Sequence, residues 1–204
     1  IMHVGNTKKD YKYFIEEIEH MQKTYNYYGY KYFDEGAIRN EINSSLYFSG
    51  MLTEDSYHLN PLKLLNGLAE QILIKGVKIY ENTPVTNILK KKDCINISTS
   101  KFNINAKKVV VCCNGYLDNL LGKVRNNFMP INNYVIATEP LGEIKAKELI
   151  KNNYAVVDSR FMIDYYRFSE DWRLIFGGPE TLTTKFLHNS SSFVLSPALT
   201  RVFP

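Results

Sequence analysis

Cysteine is scarce here. Three occur among 204 residues, Cys94, Cys112 and Cys113, and none stands in a C-x-x-C spacing. His3, His20, His58 and His188 do not cluster with them in the sequence, which argues against a metal or disulfide framework. Cys112 and Cys113 are adjacent, so on a strand they face opposite sides, and they read as two small buried residues. That usage suits a reducing cytoplasm. No apolar run approaches the roughly 20 residues of a membrane span. Net charge is also small, at +4. Its one tight run, Lys90-Lys91-Lys92, reads as a solvated strand end and not as a nucleic-acid patch. The chain opens on Ile1-Met2-His3 with no basic n-region within it, and Arg201-Val202-Phe203-Pro204 closes in mid-pattern. Both ends therefore look cut, and a fragment of a longer protein is expected.

What is present is ordinary for a globular protein: 45% hydrophobic and 23% charged residues, enough for one or two domains. Tyrosine is abundant, at 15 residues. Five tyrosines fall in 25–32, and they read as packing beneath a helix ahead of lining a cofactor or polyamine. Phe14, Ile15, Ile18 and Met21 share a helical face, which predicts a helix over Tyr11–Tyr25. Asp34 or Glu35 opens a second helix through Ile42, and Leu46-Tyr47-Phe48 reads as a short strand.

Asn60 and Pro61 are a cap and a first helical residue. The helix they start runs to about Lys75, buries Leu65, Leu68, Ala69 and Ile72, and stops at Gly76. Strands follow at Val77–Tyr80, Val85–Leu89, Ile95–Thr99 and Phe102–Ile104. Val109-Val110-Val111-Cys112-Cys113 reads as a parallel strand buried on both faces. It ends at Asn114-Gly115, a turn that places Gly115 at the ligand-binding edge of a sheet. A short helix over Leu117–Leu121 ends at Gly122. From Phe128 the pattern turns to antiparallel β: a strand to Pro140, a helix over Lys145–Ile150, and strands at Phe161–Phe168 and Arg173–Phe176 closed by Gly177-Gly178. Asn189–Ser192 reads as a polar loop, and a helix starts near Phe193.

Several stretches in this order carry a resemblance. They are Tyr57-His58-Leu59-Asn60-Pro61, Gly67-Leu68-Ala69, Glu81–Val85, Val109–Tyr116, Met129–Asn133, Ala137–Glu143, Tyr165–Phe168 and Arg173–Gly178. Together they resemble the FAD-dependent D-amino-acid oxidase superfamily, in its gamma-glutamylputrescine oxidase-like branch. The resemblance implies an α/β plus α+β fold: part of a Rossmann-like FAD-binding domain with an antiparallel-sheet substrate domain. It divides the chain into a helical segment at 1–58 flanking the substrate domain, part of the FAD-binding domain at 59–127, and the substrate domain at 128–204. The family's G-x-G-x-x-G turn, which cradles the pyrophosphate, does not occur in these residues. The strongest FAD contacts are therefore expected in the missing N- and C-terminal parts of the same protein, which would be this fragment's partners.

The implied activity is oxidation of the C–N bond of a small amine or amino acid to an imine, with FAD as cofactor. A glycine-, sarcosine- or D-amino-acid-type dehydrogenase and a flavin-free α/β binding module are the alternatives. Val85, Cys113, Asn114, Gly115 and Gly178 are the implied cofactor contacts. Tyr57, Tyr165 and Arg167 are the implied substrate contacts, Arg167 as a bidentate carboxylate clamp paired otherwise with Asp164 or Glu170. His58 reads as a packing histidine ahead of a site residue. Strand alternation sets Tyr165 and Arg167 on one face and Tyr166 on the other.

Overall fold

The computed structural model of the chain describes residues 1–181 and 191–204. The chain forms two compact units, one of residues 1–60 with 131–204 and one of residues 61–130.

The first unit is built on a seven-stranded mixed sheet. Its opening segment holds strand β1 (Met2–Gly5), helix α1 (Asp10–Tyr25), β2 (Tyr30–Phe33), α2 (Glu35–Glu41) and β3 (Ser49–Thr53). After residue 130 come β7 (Asn132–Ala137), α5 (Glu143–Leu149), β8 (Val156–Asp158), β9 (Tyr165–Phe168), β10 (Leu174–Thr181) and α6 (Ser191–Val202). The sheet order is β2-β3-β1-β8-β9-β10-β7. Only β1 and β8 pair in parallel among the described strands. The expected helical flank at 1–58 is thus corrected: this segment gives the sheet three strands. The expected strand at 46–48 lies three residues early, because the backbone pairs only from Ser49.

Local signals explain the helices. The Asp34 carboxylate accepts the Ala37 N–H at 2.8 Å and caps α2, a bond worth about 1 kcal/mol. Asn26, in the left-handed region at φ 52°, closes α1. One face of the sheet carries the core: Met2, Val4, Val156, Tyr166, Phe168, Leu174 and Phe176, with Ile38 and Ile42 from the α2 side and Leu195, Ala198 and Val202 from α6. Tyr166 stacks on Phe176, the ring centroids 5.5 Å apart, and donates its hydroxyl to Tyr47 at 2.8 Å. Burial pushes both phenols well up from their ordinary value.

The second unit holds α3 (Pro61–Ile74), an antiparallel sheet of β4 (Val85–Lys90), β5 (Ile95–Thr99) and β6 (Asn103–Ala106), a 3-10 turn at Asn114–Tyr116, and α4 (Gly122–Arg125). Helix α3 starts at Pro61, and Gly76, at φ 80°, follows its end. The expected burial fails, however. No α3 residue is buried, and Leu65, Leu68 and Ile72 stand exposed. Residues 77–80 and 109–113 form no strand, and Val110 is 84% exposed. A strand needs a neighbour for its N–H and C=O groups, and β4, β5 and β6 pair only with one another among the described residues. Cys112 and Cys113 are accordingly exposed, not buried, and Cys94 is half-buried. The short helix expected to end at Gly122 instead begins there.

The strand expected from Phe161 begins only at Tyr165, and its partner β10 runs past Gly177-Gly178 to Thr181 with a bulge. The polar loop expected at 189–192 lies partly outside the described residues, and Ser191 and Ser192 open α6.

Candidate functional site

Opposite the core, the sheet presents a second face. Tyr165 and Arg167 of β9 lie on it, half-buried, while Tyr166 and Phe168 enter the core, as alternation requires. A row of cross-strand partners runs across this face: Val135, Gly177, Tyr165, Val157, His3 and Met51. A second row sets Ala137 and Ile175 beside Arg167.

Close packing fixes Tyr165. A Cβ on Gly177 would lie 2.3 Å from the Tyr165 ring, so the ring covers that glycine. The phenol donates to Asn133 Oδ1, and Asn133 Nδ2 donates to the Gly178 carbonyl at 3.4 Å. Arg167 donates from Nη1 to the Phe168 carbonyl at 3.4 Å. Asp164, its neighbour on the chain, is taken by Arg160 and Arg201.

Those arginines belong to a buried network. Asp158, its side chain wholly buried, accepts Arg160 Nε at 2.5 Å and the Asp164 N–H at 3.0 Å. Arg201 reaches Asp164 at 2.9 Å. The network holds the loop between β8 and β9. It also explains Gly178, where a Cβ would meet Asp164 Oδ1 at 2.5 Å. A cofactor contact is not needed to account for that glycine.

Tyr57 does not join Tyr165 and Arg167 as a packed group: it is 86% exposed on the loop before α3. His58 is satisfied as a packing histidine, Nε2 lying 3.1 Å from the Asn153 carbonyl. The expected cofactor residues of the second unit stand open. Val85 begins β4, and Cys113, Asn114 and Gly115 sit at the exposed 3-10 turn. The left-handed residue there is Asn114, at φ 49°, and not the glycine. A Cβ on Gly115 would meet only Pro130, at 3.9 Å, so nothing in the chain demands glycine there. Open backbone at these positions fits the edge of a bound nucleotide, without the built phosphate cradle of a glycine-rich helix start.

A cavity of about 500 Å³ in the first unit was not among the sequence expectations. His3, Asp10, Tyr13, Phe14, Val157, Ser159, Arg160 and Ile163 are among its walls. One local signal existed: Thr7-x-x-Asp10 has the spacing of a capping box ahead of an apolar-periodic helix, and in the structure it ties Asp10 to Thr7 while Lys9 takes the N-cap position. Among the described residues there is no cluster of metal-ligating side chains, and no helix is long and apolar enough to cross a membrane.

The pattern of the FAD dependent oxidoreductase family matches residues 2–204. The chain is 34% identical over 194 residues to the gamma-glutamylputrescine oxidoreductase of Escherichia coli, covering 93% of this chain and 45% of that protein. It is 32% identical over 167 residues to the probable oxidoreductase OrdL of Haemophilus influenzae, covering 80% and 39%. In fold it is similar to L-proline dehydrogenase from P. horikoshii, with a TM-score of 0.77 at 19% identity over 100% of this chain and 55% of that one. Glycine oxidase from Bacillus cereus matches with a TM-score of 0.75 at 16% identity, over 98% and 54%. The chain thus spans less than half the length of the curated relatives it matches.

Proposed function

The chain belongs to the family of FAD dependent oxidoreductases, and we propose that the whole protein oxidises the C–N bond of a small amine or amino acid, with a gamma-glutamylputrescine-like substrate leading. The observation that carries this reading is the face bearing Tyr165 and Arg167, together with the similarity to the named oxidoreductase. FAD, when bound, supplies the hydride acceptor that turns an amine into an imine.

The chain's own residues bind and orient. The Arg167 guanidinium offers two parallel N–H donors to a substrate carboxylate. Tyr165, held over Gly177 and hydrogen-bonded to Asn133, gives that face a rigid aromatic wall. Apolar Val135 and Ile175 flank them and suit the hydrocarbon part of a substrate. Tyr57 would join only from its exposed loop. Val85, Cys113, Asn114 and Gly115 are the positions assigned to the nucleotide of FAD in the second unit.

Arg167→Lys keeps the charge and loses the fork. Its expected effect in the whole enzyme is a loss of about 10- to 100-fold in kcat/KM on a carboxylate-bearing amine, from roughly 1.5–3 kcal/mol for a charge-assisted bond. FAD content and turnover of a plain amine should change little. Equal losses on both amines would make Arg167 structural and remove the carrying observation.

A further inference from the structure

The cavity in the first unit lies where α1 approaches the ends of β1 and β8. Val4, Phe14, Val157 and Ile163 give it apolar walls, and the Tyr13 ring, tilted against Phe14 at 5.9 Å, adds an aromatic edge. The charges of one network cancel: Arg160 and Arg201 offset Asp158 and Asp164. Asp10 differs. Its carboxylate accepts the Thr7 N–H at 2.9 Å, the Thr7 hydroxyl at 2.7 Å and the Ser159 hydroxyl at 2.6 Å, all from neutral donors. Burial works against the charge, but the hydrogen bonds from Ser159, Thr7 and the Asn6 N–H outweigh it and hold the carboxyl below its ordinary value. His3, on the same wall, is pushed down by burial. Among the described residues Asp10 therefore brings to the cavity a carboxylate with no ion-pair partner, at the solvent side of its apolar wall. Asn6 Oδ1, beside the Ser159 hydroxyl, is buried with no donor among the described residues.

Charge and shape together point to one ligand chemistry. We propose that this cavity binds an alkylammonium group, its hydrocarbon against Phe14, Val157 and Ile163 and its nitrogen against the Asp10 carboxylate. An anion would be repelled by the Asp10 carboxylate, and a neutral alkane would gain nothing from it. Aromatic rings at Tyr13 and Phe14 add attraction for a cation. The cavity also adjoins the substrate face. His3 and Tyr165 both pair with Val157, on either side, so they stand about 10 Å apart at normal strand spacing. As a subsite for an amine substrate, the cavity rests on the function proposed above; as a binding site, it does not.

The test uses the whole FAD-loaded protein and calorimetric titration with tert-butylammonium, which has no hydrogen on the carbon bearing nitrogen and cannot be oxidised. Uncharged tert-butanol, of the same shape, is the control. Tert-butylammonium should bind more tightly than tert-butanol. Asp10→Asn should weaken the ammonium at least about tenfold, the lower end for a hydrogen bond to a charged group, and leave the alcohol unchanged. Ile163→Trp, which fills the cavity from an exposed loop and keeps Asp10, should weaken both ligands. It decides the matter alone if Asp10→Asn does not fold. Equal affinity for the two ligands, or an ammonium affinity untouched by these variants, overturns the site. Asp10-dependent binding in a protein that oxidises no amine would instead leave the site standing and overturn the proposed function.

Discussion

The two units spend their apolar residues differently. In the first, Met2, Val4, Tyr166 and Phe176 disappear into one core between sheet and helices. In the second, Leu62, Leu65, Leu68 and Ile72 of α3 lie in the open, with Val77, Ile79, Val110 and Val111 beyond it. The sequence patterns are alike. The difference is whether a partner surface exists among these residues. Each large side chain left in water forfeits roughly 1.5–3 kcal/mol of burial. A face of this size, in a chain less than half as long as its relatives, is what a cut through a larger core leaves.

The strongest way to break this comparison is paired truncation in the 204-residue chain. Phe176→Ala removes a fully buried ring and should cost about 3–5 kcal/mol in denaturant unfolding. Leu68→Ala, at an exposed site, should cost within about 0.5 kcal/mol. Similar costs at the two positions would mean that α3 has a packed face after all.

A finer probe is the buried hydroxyl pair. Tyr166→Phe leaves the Tyr47 hydroxyl without its donor in a dry core and should cost about 1–3 kcal/mol. Converting both tyrosines to phenylalanine should cost less than the sum of the single changes. Additive losses would show that the two hydroxyls do not depend on each other.

These outcomes also mark what could be read from the sequence. Signals that act within a few residues were legible: Asp34 as a cap, Asn60-Pro61 as a helix start, Gly76 as a stop, and the excursion around Ser100-Lys101. Strands β1 and β2 were not, since four residues each carry little pattern, and the parallel partner of β1 lies far along the chain. The valine run at 109–111 misled for the converse reason: it has the composition of a buried strand and no neighbour to pair with among the described residues. Tyr165 and Arg167 could be put on one face by alternation alone. The cavity could not be foreseen, because positions 3, 10 and 159–163 meet only through the parallel pairing of β1 with β8.

The smallest expected effect is in pH dependence. The lowered Asp10 carboxyl contributes stability that is fully present above its ordinary value of 3.8 and is lost as the pH falls through the lowered value. Thermal melts of Asp10→Asn should therefore differ from the parent at neutral pH and converge with it in strong acid. A constant offset down to the lowest pH would mean that Asp10 acts through its shape and not its charge.

Hydrogen exchange on the 204-residue chain, read by mass spectrometry, tests the contrast between the units most directly. Backbone amides of β1, β8, β9 and β10 should exchange slowly, and those of α3 quickly, with α3 gaining protection in the whole protein. Equal protection of α3 and β9 in the 204-residue chain would contradict the account.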